Sequence, residues 1–198
     1  MEKWKGLYRI PSARASWWNY ANEGAYFITV CTESRVHYFG QCKDGKMRLS
    51  IMGVIAQGLW YEIPNQFDYI RLGAFVVMPN HIHGILILET PDHDHVETRL
   101  IASLPSSASS ESSSKSSSDS SNGGGITGDK NPMLNDNISR VIRWYKGRCT
   151  HDIRTIHADF GWQSRFWDNI IQDENAYLRI SNYIQTNPLN WDKDKFFE

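Results

Sequence analysis

"FVVMPNHIHGILIL", residues 75–88, is an apolar run broken by Pro79-Asn80 that carries two histidines one residue apart, His81 and His83. Side chains alternate along a strand, so His81, His83, Ile85 and Ile87 share one face while Ile82, Leu86 and Leu88 share the other. Two imidazoles at i and i+2 on one rigid face can reach a single ion, and neutral imidazole is a ligand for several divalent metals. The competing account is a pair of core histidines satisfied by hydrogen bonds, so the metal reading needs a third ligand. A second His-x-His, His93 and His95 in "PDHDHVE", lies in a polar, acidic stretch and reads as a solvated loop. A strand holds ligands more rigidly than a loop, which favours the first pair.

Outward from this stretch the chain reads as α+β. Residues 25–32, "AYFITVCT", are β-branched and aromatic and predict a strand. A hairpin is expected around Asp44-Gly45. Ile51, Val54, Ile55 and Leu59 fall at helical spacing within residues 50–63, and Pro64 is expected to end that helix. Residues 69–78 and 81–88 then form two strands around the Pro79-Asn80 turn. A helix over 137–157 presents Ile138, Val141, Ile142, Tyr145 and Ile153 to a core, with Arg140, Arg143, Lys146, Arg148 and Arg154 on a basic side. A short strand, "RFWDNIIQ", precedes a last helix that begins at Asp173 and stops near Asn187, because Pro188 follows.

The 198 residues suffice for one core of ordinary size, and a single domain over 1–198 is expected. Residues 103–125, "SLPSSASSESSSKSSSDSSNGGG", interrupt it with a Ser/Gly-rich segment that cannot bury enough surface to offset its ordering entropy, which predicts a flexible insertion. The formal net charge of −1 does not indicate a bulk-basic nucleic-acid binder, although local basic patches remain open. Three widely spaced cysteines without a CxxC pair argue against a disulfide framework. No run of about 18 apolar residues is present, and "MEKWKGLYRI" has no apolar core of a secretory signal. A cytoplasmic protein without membrane contact is expected.

In the last helix, Ala176, Ile180, Tyr183 and Asn187 line one face, flanked by Tyr177 and Ile184, and that face is expected to pack on the sheet. Tyr183 and Asn187 are one turn apart, with Cβ atoms about 5–6 Å from each other. The Asn187 amide oxygen could be the third, neutral ligand, with the Tyr183 hydroxyl beside the ion. By pattern alone the alternatives are a core tyrosine and an ordinary helix-end asparagine.

"FVVMPNHIHGILIL", the C-terminal "YIQTNPLNW" and the leader "RIPSARASWWNYANEGAYFITVCTESR" together resemble the REP-associated tyrosine transposases, within the single-tyrosine HUH superfamily of bacterial single-strand DNA transposases. The resemblance covers nearly the whole chain outside the Ser-rich insertion. It implies a ferredoxin-like antiparallel sheet with helices packed on it, the HUH endonuclease/transposase fold. It implies His81, His83 and Asn187 as ligands of Mg²⁺ or Mn²⁺, Tyr183 as nucleophile, and a REP-like palindrome folded as a single-stranded DNA hairpin as partner. A monomer at the bacterial nucleoid is expected, a dimer being the alternative. Family members commonly carry Glu-His where this chain has Asp168-Asn169, which puts in doubt whatever that histidine does.

A tyrosine phenol is protonated at neutral pH, with an ordinary pKa near 10, and attacks a phosphodiester only when positioned in line and helped by a cation. The step expected is cleavage and rejoining of DNA through a 5′-phosphotyrosine. Arg9, Arg14 and Trp17 of the leader mix charge with an aromatic ring suited to single-stranded DNA, the alternative being an ordinary N-terminal segment whose aromatics pack on the core. Arg140, Arg143 and Lys146 on the 137–157 helix, with a solvated helix face as the alternative, and Arg165, before the last helix, are further candidates. The alternatives are a catalytically silent or regulatory hairpin-DNA-binding protein, a nicking endonuclease of replication-initiator type, and an unrelated His-x-His metal hydrolase indifferent to loss of Tyr183.

Overall fold

The computed structural model describes residues 22–89 and 137–197, together with the backbone of residues 3–4 and 7–8. In chain order the elements are β1 (Lys3–Trp4), β2 (Leu7–Tyr8), β3 (Gly24–Cys31), β4 (Gly40–Lys43), β5 (Lys46–Leu49), α1 (Ile51–Tyr61), α2 (Ile63–Gln66), β6 (Ile70–Val77), β7 (His81–Leu88), α3 (Ile138–Arg154), β8 (Trp167–Ile171) and α4 (Glu174–Thr186), followed by a 3₁₀ segment over Asn187–Lys193. Four strands form one antiparallel sheet in the order β6-β7-β3-β8. The α+β architecture with an antiparallel sheet and packed helices agrees with the expectation from sequence.

The expected strands and hairpin form where the local chemistry requires them. β4 and β5 join through Asp44 and Gly45, both with positive φ (53° and 69°), the conformation that a two-residue primed turn demands. Side-chain caps start three helices: Ser50 Oγ accepts from Gly53 N, Asn137 Oδ1 from Arg140 N, and Asp173 Oδ1 from Ala176 N. Each such cap contributes about 1 kcal/mol.

Pro64 acts differently from expectation. α1 already stops at Tyr61, and Pro64 sits in the first turn of α2. The proline ring would clash with the carbonyl of Trp60 in a continuous helix, so the chain breaks and restarts where a missing N–H costs nothing. α3 ends at Arg154, three residues short of the expected end.

α1 and α3 cover one face of the sheet. Tyr26, Ile28 and Val30 of β3 and Ile82, Leu86 and Leu88 of β7 bury their side chains there against Ala56, Trp60, Val141, Ile142, Tyr145, Cys149 and Ile153. Trp60 is fully buried, stacks on Phe75 with ring centroids 4.6 Å apart, and meets Tyr145 edge-on at 5.3 Å. Tyr145 donates its hydroxyl to Ala56 O at 2.9 Å, tying the two helices together.

α4 covers the opposite face, where the histidines stand. Its buried stripe is rotated from the expected one: Ile184 is buried at its centre, while Tyr183 remains 41% exposed. A smaller cluster of Cys31, Met78, Trp191 and Phe196 closes this side. The expected insertion 103–125, the loop pair His93 and His95, and the leader residues Arg9, Arg14 and Trp17 lie outside the described residues. No helix among the described residues is long and apolar enough to cross a membrane. All three cysteines are free.

Candidate active site

His81 and His83 are 0% and 1% exposed, on the α4 face of a central strand, with ring centroids 4.5 Å apart. Their Cα partners on β3 are Cys31 and Thr29. Each ring is oriented from behind. Asn80 donates its Nδ2 to Phe196 O at 2.7 Å, so its Oδ1 must accept from His81 Nδ1–H, 2.8 Å away. That bond puts the ring proton on Nδ1 and leaves Nε2 as a bare lone pair. His81 Nε2 is buried without a hydrogen-bond partner among the described residues. Thr29 Oγ1 lies 2.8 Å from His83 Nδ1 and holds the second ring from behind.

Both imidazoles are neutral at pH 7. Burial, with the positive charges of Lys195 and Arg35 nearby, pushes the His81 pKa down to about 3. Burial first and then His81 itself push His83 well below its ordinary value. Neutral imidazole is the ligating form.

Tyr183 of α4 reaches His83, and Asn187, at the start of the 3₁₀ segment, reaches Asp194. Tyr183 Oη lies 3.4 Å from His83 Nε2 and 3.4 Å from Asp194 Oδ2, close contact rather than tight hydrogen bonding. Burial, then the charge of Asp194 and its contact with the phenol, push the Tyr183 pKa up to about 12. Phe27 sets the ring from the sheet side, its centroid 5.2 Å from that of His83 and 6.1 Å from that of Tyr183. Asn187 is 2% exposed and donates Nδ2 to Asp194 Oδ2 at 3.0 Å. Its Oδ1 is buried and has no donor among the described residues.

The sequence reading did not single out Asp194, Thr29 or Asn80. His81, His83 and Asp194 each offer a ligand atom, all within 4.8 Å of one another. Asp194 arrives because the chain turns back after Pro188: Asn187–Lys193 forms a 3₁₀ segment kinked at Asn190, and Trp191 packs beside His81 at 5.9 Å. Two buried imidazoles and a half-buried carboxylate form a donor set that could hold a divalent cation.

The basic candidates lie elsewhere. α3 is on the far side of the sheet from the histidines. Arg140 lies over the Phe67 ring at 5.8 Å, Arg143 is exposed, and Lys146 donates Nζ to Gln163 O at 2.6 Å. Arg165 is exposed, two residues before β8. Arg140, Arg143 and Lys146 are thus separated from the histidine cluster by the sheet.

No family model matches the chain. An uncharacterized protein of Haemophilus influenzae (strain Rd) is 30% identical over 196 residues, covering 97% of this chain and 95% of that protein. A solved structure of a REP-associated tyrosine transposase bound to a REP hairpin superposes with a TM-score of 0.53 at 18% identity, over 89% of this chain and 74% of that one. The fold is therefore that of a REP-associated tyrosine transposase. By sequence, the chain belongs to one family with the Haemophilus protein.

Proposed function

We propose that this chain is a metal-dependent single-stranded DNA transposase, a single domain over 1–198 interrupted by the insertion at 103–125, that cleaves and rejoins DNA beside REP-like hairpins through Tyr183. The observation that carries the reading is the pair of buried acceptors, His81 Nε2 and Asn187 Oδ1, with no hydrogen-bond partner among the described residues, and a tyrosine hydroxyl 3.4 Å from the neighbouring His83 Nε2. Buried polar atoms are almost always paired, and two acceptors without a donor among the described residues suit a cation. The hairpin partner is proposed from the likeness in fold, since the REP-associated tyrosine transposase was solved with one.

His81, His83 and Asn187 would hold the ion, with Asp194 as an anionic fourth ligand. The two imidazole nitrogens suit Mn²⁺ better than Mg²⁺, which prefers oxygen. A bound divalent cation would supply Lewis-acid polarisation of a phosphodiester oxygen.

The protein's own residues account for the rest. Tyr183 is half-exposed on a rigid helix, so DNA can approach its hydroxyl. Its Oη forms the new bond to phosphorus while the bond from phosphorus to the 3′-oxygen breaks, and that oxygen leaves as a 3′-hydroxyl. Asp194 Oδ2 is the nearest carboxylate acceptor for the phenolic proton. The 5′-phosphotyrosine retains one phosphoester linkage for each one broken, so a 3′-hydroxyl can reverse the step and join strands.

The test is incubation with Mn²⁺ and single-stranded oligonucleotides carrying the palindromes that flank the gene. A denaturant-resistant protein–DNA adduct is expected, and it should disappear in Tyr183→Phe and His81→Ala. Cleavage that persists in Tyr183→Phe would replace the tyrosine mechanism with ordinary metal-assisted hydrolysis.

A further inference from the structure

β8 forms one edge of the sheet, beside the strand that orients His83. Thr29 of β3 pairs with His83 on one side and with Trp167 of β8 on the other. Directly paired residues of antiparallel strands project to the same face. His83, Thr29 and Trp167 therefore stand in one row on the α4 face. With strands about 4.8 Å apart, the Trp167 backbone lies roughly 10 Å from that of His83. Phe27, diagonal to Trp167 across the β3–β8 pairing, touches the Tyr183 ring edge-on with centroids 6.1 Å apart. Aromatic side chains thus lead from the tyrosine hydroxyl to the sheet edge.

Trp167 itself is 60% exposed, whereas Trp60 on the opposite face is fully buried. The neighbouring side chains of β8 that point inward, Asp168 and Ile170, are partly buried, and Ile170 packs on the main core. β8 is thus held by its other face, and the indole is free to meet a ligand. A large flat ring at a sheet edge, in register with the reacting residues, suits a nucleobase: every base has a π-face, and stacking needs no hydrogen-bond code.

We propose that Trp167 is a positioning residue on which a nucleobase of single-stranded DNA stacks, next to the phosphate that Tyr183 attacks. This rests on the reading of the site as a DNA-processing centre and names how that site grips its substrate. Stacking there fixes the strand across the sheet edge and sets which phosphate reaches the hydroxyl. The site would then tolerate any base at that position but not its loss.

The test is equilibrium binding, which does not depend on chemistry. In a Tyr183→Phe background, fluorescence anisotropy measures affinity for a labelled DNA hairpin with a six-nucleotide single-stranded arm, taken from the palindromes flanking the gene. Trp167→Ala should weaken binding about ten-fold, and Trp167→Phe should retain most of the affinity. An abasic nucleotide placed at each arm position in turn should reproduce that loss at one position, where Trp167→Ala then has no further effect. Unchanged binding by Trp167→Ala, or a loss that is the same wherever the abasic nucleotide sits, would overturn the proposal. An adduct on Tyr183 with Trp167→Ala binding unimpaired removes the stacking and keeps the function. Position-specific coupling without any adduct does the reverse. Failure to bind the armed hairpin overturns both.

Discussion

Asn187 donates from Nδ2 to Asp194 Oδ2 at 3.0 Å, and this one bond fixes which end of the buried amide is left as an acceptor. A carboxylate can only accept, so the nitrogen must face Asp194 and the oxygen must face away from it. In the proposed site Asp194 would have two roles, as a ligand beside the histidines and as the group that orients Asn187. Asp194→Asn should weaken Mn²⁺ binding at least ten-fold by titration calorimetry, and His81→Ala should abolish it. Full affinity in Asp194→Asn would confine the ligand set to the two histidines and Asn187.

Thr29 holds His83 from behind through a 2.8 Å contact to Nδ1. Thr29→Val keeps the shape and removes the partner. Outer partners of this kind are typically worth 10–100-fold in metal affinity, and the unmade hydrogen bond costs about 1–3 kcal/mol of stability. Thr29→Ser should restore both. A valine variant with unaltered Mn²⁺ affinity would show that His83 is not held for ligation.

Gly84 follows His83 and turns its missing side chain toward Trp60. A Cβ there would enter contact distance of the indole ring, which Phe75 and Tyr145 pin in place. Overpacking of this sort costs about 1–3 kcal/mol. Gly84→Ala should lower the urea midpoint accordingly, and adding Trp60→Phe should recover part of the loss, because residues in contact do not add independently. A Gly84→Ala midpoint equal to that of the parent would mean that the helix shifts without cost.

Alkaline pH probes the other face of the sheet. Burial pushes the Cys149 thiol from its ordinary 9.0 up to about 12, and pushes Tyr145 beside it well above 10.0. The folded chain therefore keeps protons that the unfolded chain loses. Their contribution to stability is complete below pH 9 and falls as pH rises through the ordinary values of the thiol and then of the phenol. Unfolding at pH 8 and pH 10 should show this loss, and Cys149→Ala should remove the cysteine's share. An identical slope in the alanine variant would assign it elsewhere.

His81 and His83 were legible because strand alternation is rigid: two imidazoles with one residue between them must share a face wherever the strand is placed. Tyr183 and Asn187 were legible because helical spacing brings them together just before Pro188. Asp194 was not, because "WDKDKFFE" offers several charged residues and only the kink at Asn190 decides which one turns inward. Asn80 read as a turn residue, and the carbonyl that turns its amide toward His81 belongs to Phe196, 116 residues away. The basic side of α3 was visible in the sequence, but its place on the sheet was not. Helical periodicity gives a face, while the sheet order decides that this helix stands across from the histidines.

The most direct measurement is mass spectrometry of the adduct. The protein is incubated with Mn²⁺ and the flanking-palindrome DNA, the DNA is trimmed with nuclease, and the tryptic peptides are sequenced. The account predicts a 5′-linked nucleotide on Tyr183 and on no other residue. A nucleotide on a different side chain, or cleaved DNA with no modified peptide, would contradict it.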